Sequence, residues 1–157
     1  MRTTYAIGIG SNRRGRHGSP RAEVTAAIEA LHDLVVAAPI IETPPLGPSH
    51  RRFANSVAII VSDDPPPALL RRLKAIERDF GRRRGRRWGA RVIDLDILLW
   101  SHGSWSSPGL TVPHIGLRER RFVLAPLAAI APRWRDPVTA RSIRQLAASV
   151  DRPRPRH

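Results

Sequence analysis

Apolar positions along the chain fall into stretches of period two and stretches of helical period, and their order predicts the architecture. Residues 4–10 (TYAIGIG) alternate small and apolar side chains and run into Gly-Ser-Asn, the pattern of a strand entering a turn. Ser19-Pro20 supplies an N-cap with proline at the first helical position, and Val24, Ile28, Leu31 and Val35 mark one face of the helix that follows. Residues 40–43 (IIET) read as a short strand, 44–48 (PPLGP) as a rigid loop and 53–62 (FANSVAIIVS) as a longer strand. Asp64 before Pro65 is placed to cap a second helix with Leu69, Leu73, Ile76 and Phe80 on its apolar face, and Gly81 ends it. Val92, Ile93, Leu95, Ile97, Leu98 and Leu99 make an apolar run broken only by two aspartates, which predicts a strand buried on both faces. A polar turn over 101–108 and a short extended segment over 110–114 follow. A helix over 118–130, interrupted by Pro126, and a last helix over 142–149 complete the chain. The order strand, helix, strand, strand, helix, strand predicts an α+β fold. It is the ferredoxin-like βαββαβ sandwich, one sheet with helices on one face, extended by C-terminal helical additions.

Length changes this picture little: 157 residues suit a single domain, expected over 1–150, with a Pro- and Arg-rich tail (DRPRPRH, 151–157) expected to be disordered. The chain has no cysteine, which excludes disulfides and thiolate chemistry. No signal-like segment follows Met1 and no apolar run approaches a membrane span, so a cytoplasmic protein without a membrane partner is expected. A net charge of +14 invites a nucleic-acid reading, but six of the 27 basic residues crowd into 81–91 (GRRRGRRWGAR) with no acid among them. A charge focused in that way suits a small polyphosphate as well as a polymer.

The candidate chemistry centres on Asp94 and Asp96. Residues two apart on a strand face the same side, so two carboxylates share one face of a greasy strand. Like charges there repel and resist desolvation, which calls for a positive group between them. A hard dication fits, because Mg2+ joins one or two carboxylates to substrate phosphates; the alternative is an arginine partner for each aspartate. The basic stretch ends just before this pair, and arginine grips phosphate through planar paired hydrogen bonds. His114, in LTVPH, stands near a second arginine cluster at 118–121 and reads either as a structural histidine or as a phosphate donor. Phe53 and Asn55 share a strand face. They read as a core ring with an edge amide, or as a stacking surface with an amide that reads a flat heterocycle.

Four stretches in order resemble the 6-hydroxymethyl-7,8-dihydropterin pyrophosphokinase family of folate biosynthesis. They are IGIGSN (7–12), ETPPLGPSHRRFANSV (42–57), IERDFGRRRGRRWGARVIDLDILLW (76–100) and LTVPHIGLRERRFVLAPL (110–127). The resemblance implies diphosphate transfer from ATP to the pterin alcohol, with AMP leaving. It implies that Asp94 and Asp96 hold two Mg2+ ions. Arg82, Arg91 and His114 would be catalytic, and with Arg84, Arg87 and Arg120 would contact the phosphates of ATP. Lys74, Glu77, Ile97 and Thr111 would line the nucleotide side, Lys74 replacing the neutral polar residue usual there. Phe53 and Phe122 would sandwich the pterin, with Thr43, Pro44, Leu46 and Asn55 completing its pocket and Trp88 closing over it. A monomer that takes only small-molecule substrates and no nucleic acid is expected.

Two other functions compete. An RNA-binding module suits the fold and the charge, but aromatic residues are only 5% of the chain and form no cluster of the kind such sheets use. A nucleotidyltransferase also uses Gly-Ser and Asp-x-Asp, though with the two elements much nearer in sequence than Ser11 and Asp94 are here.

Overall fold

A computed structural model describes residues 2–43, 52–81 and 91–151. The expected first strand is β1 (Thr3–Ser11), and Ser19 caps α1 (Pro20–Ala30) by accepting the Ala22 amide, with Pro20 at the first helical position. The expectation that this helix carries Val35 is corrected. Asp33 adopts a positive φ of 58°, and the β-branched pair that follows lies in a strand, β2 (Leu34–Ala37). β3 (Ile41–Thr43) continues β2's path along β4 (Phe53–Ser62), and both pair with it antiparallel. Pro39, which has no amide to donate, falls in the break between them.

Next come α2 (Pro66–Asp79) and β5 (Asp94–Trp100). The sheet order β2-β4-β1-β5, with β3 beside β4, is that of the ferredoxin-like sandwich. Asp64 does not cap α2 as expected. Pro65 occupies the cap position without a side-chain bond, and the Asp64 carboxylate instead accepts from Arg72 at 2.7 Å. The expected turn over 101–108 contains a strand, β6 (Trp105–Ser107), paired with β7 (Leu110–Val112). α3 (Arg121–Ile130) starts later than the sequence suggests and keeps Pro126 within it. α4 (Ile143–Asp151) takes in Asp151, the first residue of the expected tail, which pairs with Arg121 at 2.9 Å.

The sheet has a core on each side. Tyr5, Ile7 and Ile9 of β1, Leu95 and Ile97 of β5 and the buried faces of α1 and α2 form one. Ala6, Val57, Leu98 and Leu99 pack against α3 and α4 in the other. The two crossover helices therefore share one face, as expected, and the C-terminal additions cover part of the opposite one. A register shift opposite Ala6 and Ile7 pairs Ala6 with Leu99 and Ile7 with Ile97, leaving Leu98 as an extra residue. The bulge lets Leu98 and Leu99 both serve the α3–α4 core while Leu95 and Ile97 serve the other.

Candidate functional site

The site begins where α3 stops covering the sheet. Gly8 of β1 stands between Val57 and Asp96, and Gly10 between Asn55 and Asp94, so two rows across the sheet have no side chain at their centre. A Cβ on Gly8 would lie 3.3 Å from a Leu98 methyl, and one on Gly10 would lie 3.0 Å from Asn55 Oδ1. The glycines thus form the floor of a cleft of about 220 Å3. Phe53 and Asn55 of β4, Thr43 of β3, Asp94 and Asp96 of β5, and Arg120, Phe122 and Val123 from the start of α3 wall it. Asn55 is buried, only 8% exposed. An amide of that kind beside aromatic rings is the usual equipment for a flat heterocycle.

A second groove, of about 380 Å3, lies along β5. Leu70 and Lys74 of α2, Ile97 of β5, Leu110 and Thr111 of β7, and His114 line it. Asp96 borders both spaces, which makes it the place where a ligand in one can meet a ligand in the other. The His114 amide donates to Leu98 O at 3.0 Å, fastening this segment to β5. Gly116 N–H donates to His114 Nδ1 at 3.0 Å. A neutral His114 therefore carries its proton on Nε2, which stands 3.8 Å from Asp96 Oδ1.

Charge at the junction is unbalanced. The Asp96 carboxyl is held above the usual carboxylate range, first by burial and then by repulsion from Asp94, and His114, Arg120 and Lys74 only partly offset this. Asp94 Oδ1 accepts from Arg91 Nη1 at 3.1 Å, so the arginine partner weighed from sequence is present for Asp94. Two carboxylates facing one cleft fit a hard dication. Among the described residues no group of three or more His, Asp or Glu side chains could hold a metal. The remaining ligands would then be phosphate and water oxygens.

Of the residues expected from sequence, Thr43, Phe53, Asn55, Arg91, Asp94, Asp96, Arg120 and Phe122 meet at the cleft, and Lys74, Ile97, Thr111 and His114 at the groove. Glu77 is placed differently: it is buried, 1% exposed, its Oε2 accepts the Leu95 amide at 2.8 Å and its Oε1 lies 3.3 Å from Lys74 Nζ. Pro44, Leu46, Arg82, Arg84, Arg87 and Trp88 lie outside the described residues. Sequence reasoning assigned no role to Ser11, Asn12 or Ser56, which also line the cleft. The signal for the first two was their position at the end of IGIGSN.

Comparisons with known proteins bear on the family and the fold. The family model for 7,8-dihydro-6-hydroxymethylpterin-pyrophosphokinase (HPPK) matches residues 6–132. The 2-amino-4-hydroxy-6-hydroxymethyldihydropteridine pyrophosphokinase of Pseudomonas aeruginosa is 41% identical over 137 residues, covering 83% of this chain and 82% of the relative. The protein of that name from Haemophilus influenzae is 38% identical over 137 residues, with shares of 83% and 82%. Among solved structures, Plasmodium falciparum HPPK-DHPS superposes with a TM-score of 0.74 at 13% identity, over 95% of this chain and 41% of that one, which speaks for the fold. With the family model spanning most of its length and relatives this similar, the chain belongs to the 7,8-dihydro-6-hydroxymethylpterin-pyrophosphokinase family.

Proposed function

We propose that this chain transfers diphosphate from ATP to 6-hydroxymethyl-7,8-dihydropterin and releases AMP, a step of folate biosynthesis. In this reading the pterin occupies the glycine-floored cleft and ATP the groove along β5. The observation that carries it is Asp96 at the border of the two, because in-line transfer needs the hydroxymethyl oxygen and the β-phosphorus to meet at one point. Asn55 reads the donor and acceptor edge of the pterin through its carboxamide, and Phe53 and Phe122 offer ring faces.

Asp94 and Asp96 would hold Mg2+, two ions in our reading. When bound, Mg2+ would supply charge neutralisation for the triphosphate and the leaving AMP. The chain's own part is positioning. His114 offers its Nε2 proton, and Arg91 and Arg120 offer fixed guanidinium charge where phosphate oxygens would gather. No helix among the described residues is long and apolar enough to cross a membrane. A cytoplasmic, monomeric enzyme of one domain, with no nucleic-acid partner, is the accompanying proposal.

The test is incubation with Mg-ATP and the hydroxymethyl-dihydropterin. AMP should appear in equal amount to a pterin diphosphate, and only when both substrates and Mg2+ are present. Release of pyrophosphate would indicate nucleotidyl transfer instead. Binding of single-stranded RNA that falls with salt and ignores Mg2+, with no AMP formed, would favour an RNA-binding module.

A further inference from the structure

The turn between β1 and α1 has no part in the mechanism above, yet it governs where Arg91 stands. Asn12 takes both backbone polar groups of Arg91: the Arg91 amide donates to Asn12 Oδ1 at 2.6 Å, and Arg91 O accepts the Asn12 amide at 3.1 Å. The ladder between β1 and β5 has its last pair at Gly10 and Asp94, so the side chain of Asn12 prolongs the join past the end of the sheet. We propose that Asn12 is a positioning residue for diphosphate transfer, acting by fixing the backbone of Arg91 so that its guanidinium is held beside Asp94.

The grip is firm because the turn carrying Asn12 is closed on itself. Gly15 and Gly18 exchange both backbone hydrogen bonds at 3.1 Å. Glu23, fully buried in α1, accepts the His17 amide at 2.7 Å and meets His17 Nδ1 at 2.7 Å. Val92 packs directly on this turn, since a Cβ on Gly15 would fall 2.6 Å from its Cγ1. Residues 91 and 92 are therefore docked on a piece tied to α1, and Asn12 itself is only 6% exposed. An arginine side chain has many rotamers, so a fixed starting point is what confines its charged end. From that point Arg91 Nη1 reaches Asp94 Oδ1 at 3.1 Å.

The inference rests on the reading that Arg91 serves the reaction, and the test separates the two. It is a double-mutant cycle of Asn12→Ala and Arg91→Ala, followed by AMP release and thermal melting. Asn12→Ala should lower kcat by about 10-fold or more while each KM moves by less than about threefold, the mark of an interaction that matters in the transition state. In the Arg91→Ala background it should cost nothing further, because residues that act through one another are not additive. Asn12→Asp keeps an oxygen for the Arg91 amide and should recover most of the loss. Should Asn12→Ala fail to fold, Asn12→Ser, whose hydroxyl is too short to reach that amide, takes its place. An equal loss with and without Arg91 would overturn the proposal, since Asn12 would then touch substrate directly or merely support the fold. Wild-type turnover by Arg91→Ala alone would overturn the role given to Arg91, and the inference with it.

Discussion

Replacing Gly10 by alanine puts the geometry of the cleft to a direct test. The φ of Gly10 is not in the left-handed region, so the backbone accepts an alanine. The new methyl would stand 3.0 Å from Asn55 Oδ1, while the next atom, Ala54 O, is 4.0 Å away. The Asn55 carboxamide is therefore the one neighbour that must yield. Glycine within a strand costs about 0.5–1 kcal/mol relative to alanine. That gain offsets part of the strain of moving a buried amide, and the melting temperature should change by no more than about 4 °C. Binding should not be spared. If the carboxamide holds the pterin edge, turning it away leaves a buried polar group unmatched, at about 1–3 kcal/mol, or roughly a 5- to 150-fold weaker pterin complex. The assay is calorimetric titration of a non-hydrolysable ATP analogue first and of the pterin second. Nucleotide affinity should stay within about twofold, because Gly10 does not line the groove along β5. Gly8→Ala is the control: the atoms nearest its methyl belong to the Leu98 side chain, the first at 3.3 Å, and Asn55 should stay in place. Wild-type pterin affinity in Gly10→Ala would show that Asn55 does not read the pterin; an equal loss of both ligands would show that the row is purely structural.

Two further outcomes follow from the charges. Asp96→Asn should abolish AMP release yet raise the melting temperature of the metal-free protein at neutral pH, since it removes a carboxylate that burial and Asp94 both disfavour; melting and turnover measured on one sample check this, and a mutant that is active or less stable counts against the metal assignment. Asp136 is fully buried and bound by Arg118 at 2.5 and 2.9 Å, by the Val138 amide and by the Thr139 hydroxyl. Burial alone would raise its carboxyl, but these bonds and the charge of Arg118 hold it below the usual range. Its contribution to stability is then complete above the unfolded carboxylate pKa and is lost as pH falls through the lower folded value. Asp136→Asn should cost about 3 kcal/mol at pH 7, and in urea melts the gap from wild type should narrow as pH falls below the usual carboxylate range; a gap that does not depend on pH would mean the ion pair contributes nothing.

Much of the fold was legible because burial and periodicity coincide in the strands. β1, β4 and β5 lie at the centre of the sheet or against two cores, so their apolar positions announced them. β2 failed for the opposite reason. Leu34, Val35 and Val36 are exposed at 43%, 60% and 38%, so their apolar character reports no buried face. Val35 fell four residues after Leu31 and imitated one more turn of helix. Asp64 misled in a related way: Asp-Pro is a good helix start in isolation, but its carboxylate had a nearer partner in Arg72.

The site divides along the same physical line. A carboxylate pair on an apolar strand and a glycine pair on another are anomalies visible in one dimension, because each breaks the local rule for a buried strand. The sheet then explains why they belong together: Gly8 pairs with Asp96 and Gly10 with Asp94, so the missing side chains of β1 open the space that the charges of β5 face. Pairing between strands this far apart in sequence is set by the fold, and residue spacing alone does not encode it. Asn12 shows what is lost without that register. Its place at the end of IGIGSN is a local signal, but the bond to the backbone of Arg91, 79 positions away, through which it is proposed to act is not encoded nearby. Lys74, Thr111 and His114 likewise come to one groove from α2, β7 and the segment after it, and only the resemblance to a family had grouped them. The two spaces touch at Asp96 because β5 is the last strand of the sheet order and its residues line both the cleft and the groove. A further strand paired beside β5 would take the place of the groove, and in the proposed reading Asp96 would then face one ligand instead of two. In that reading the joining of two substrates depends on the sheet ending at β5, a property of topology that no single residue carries.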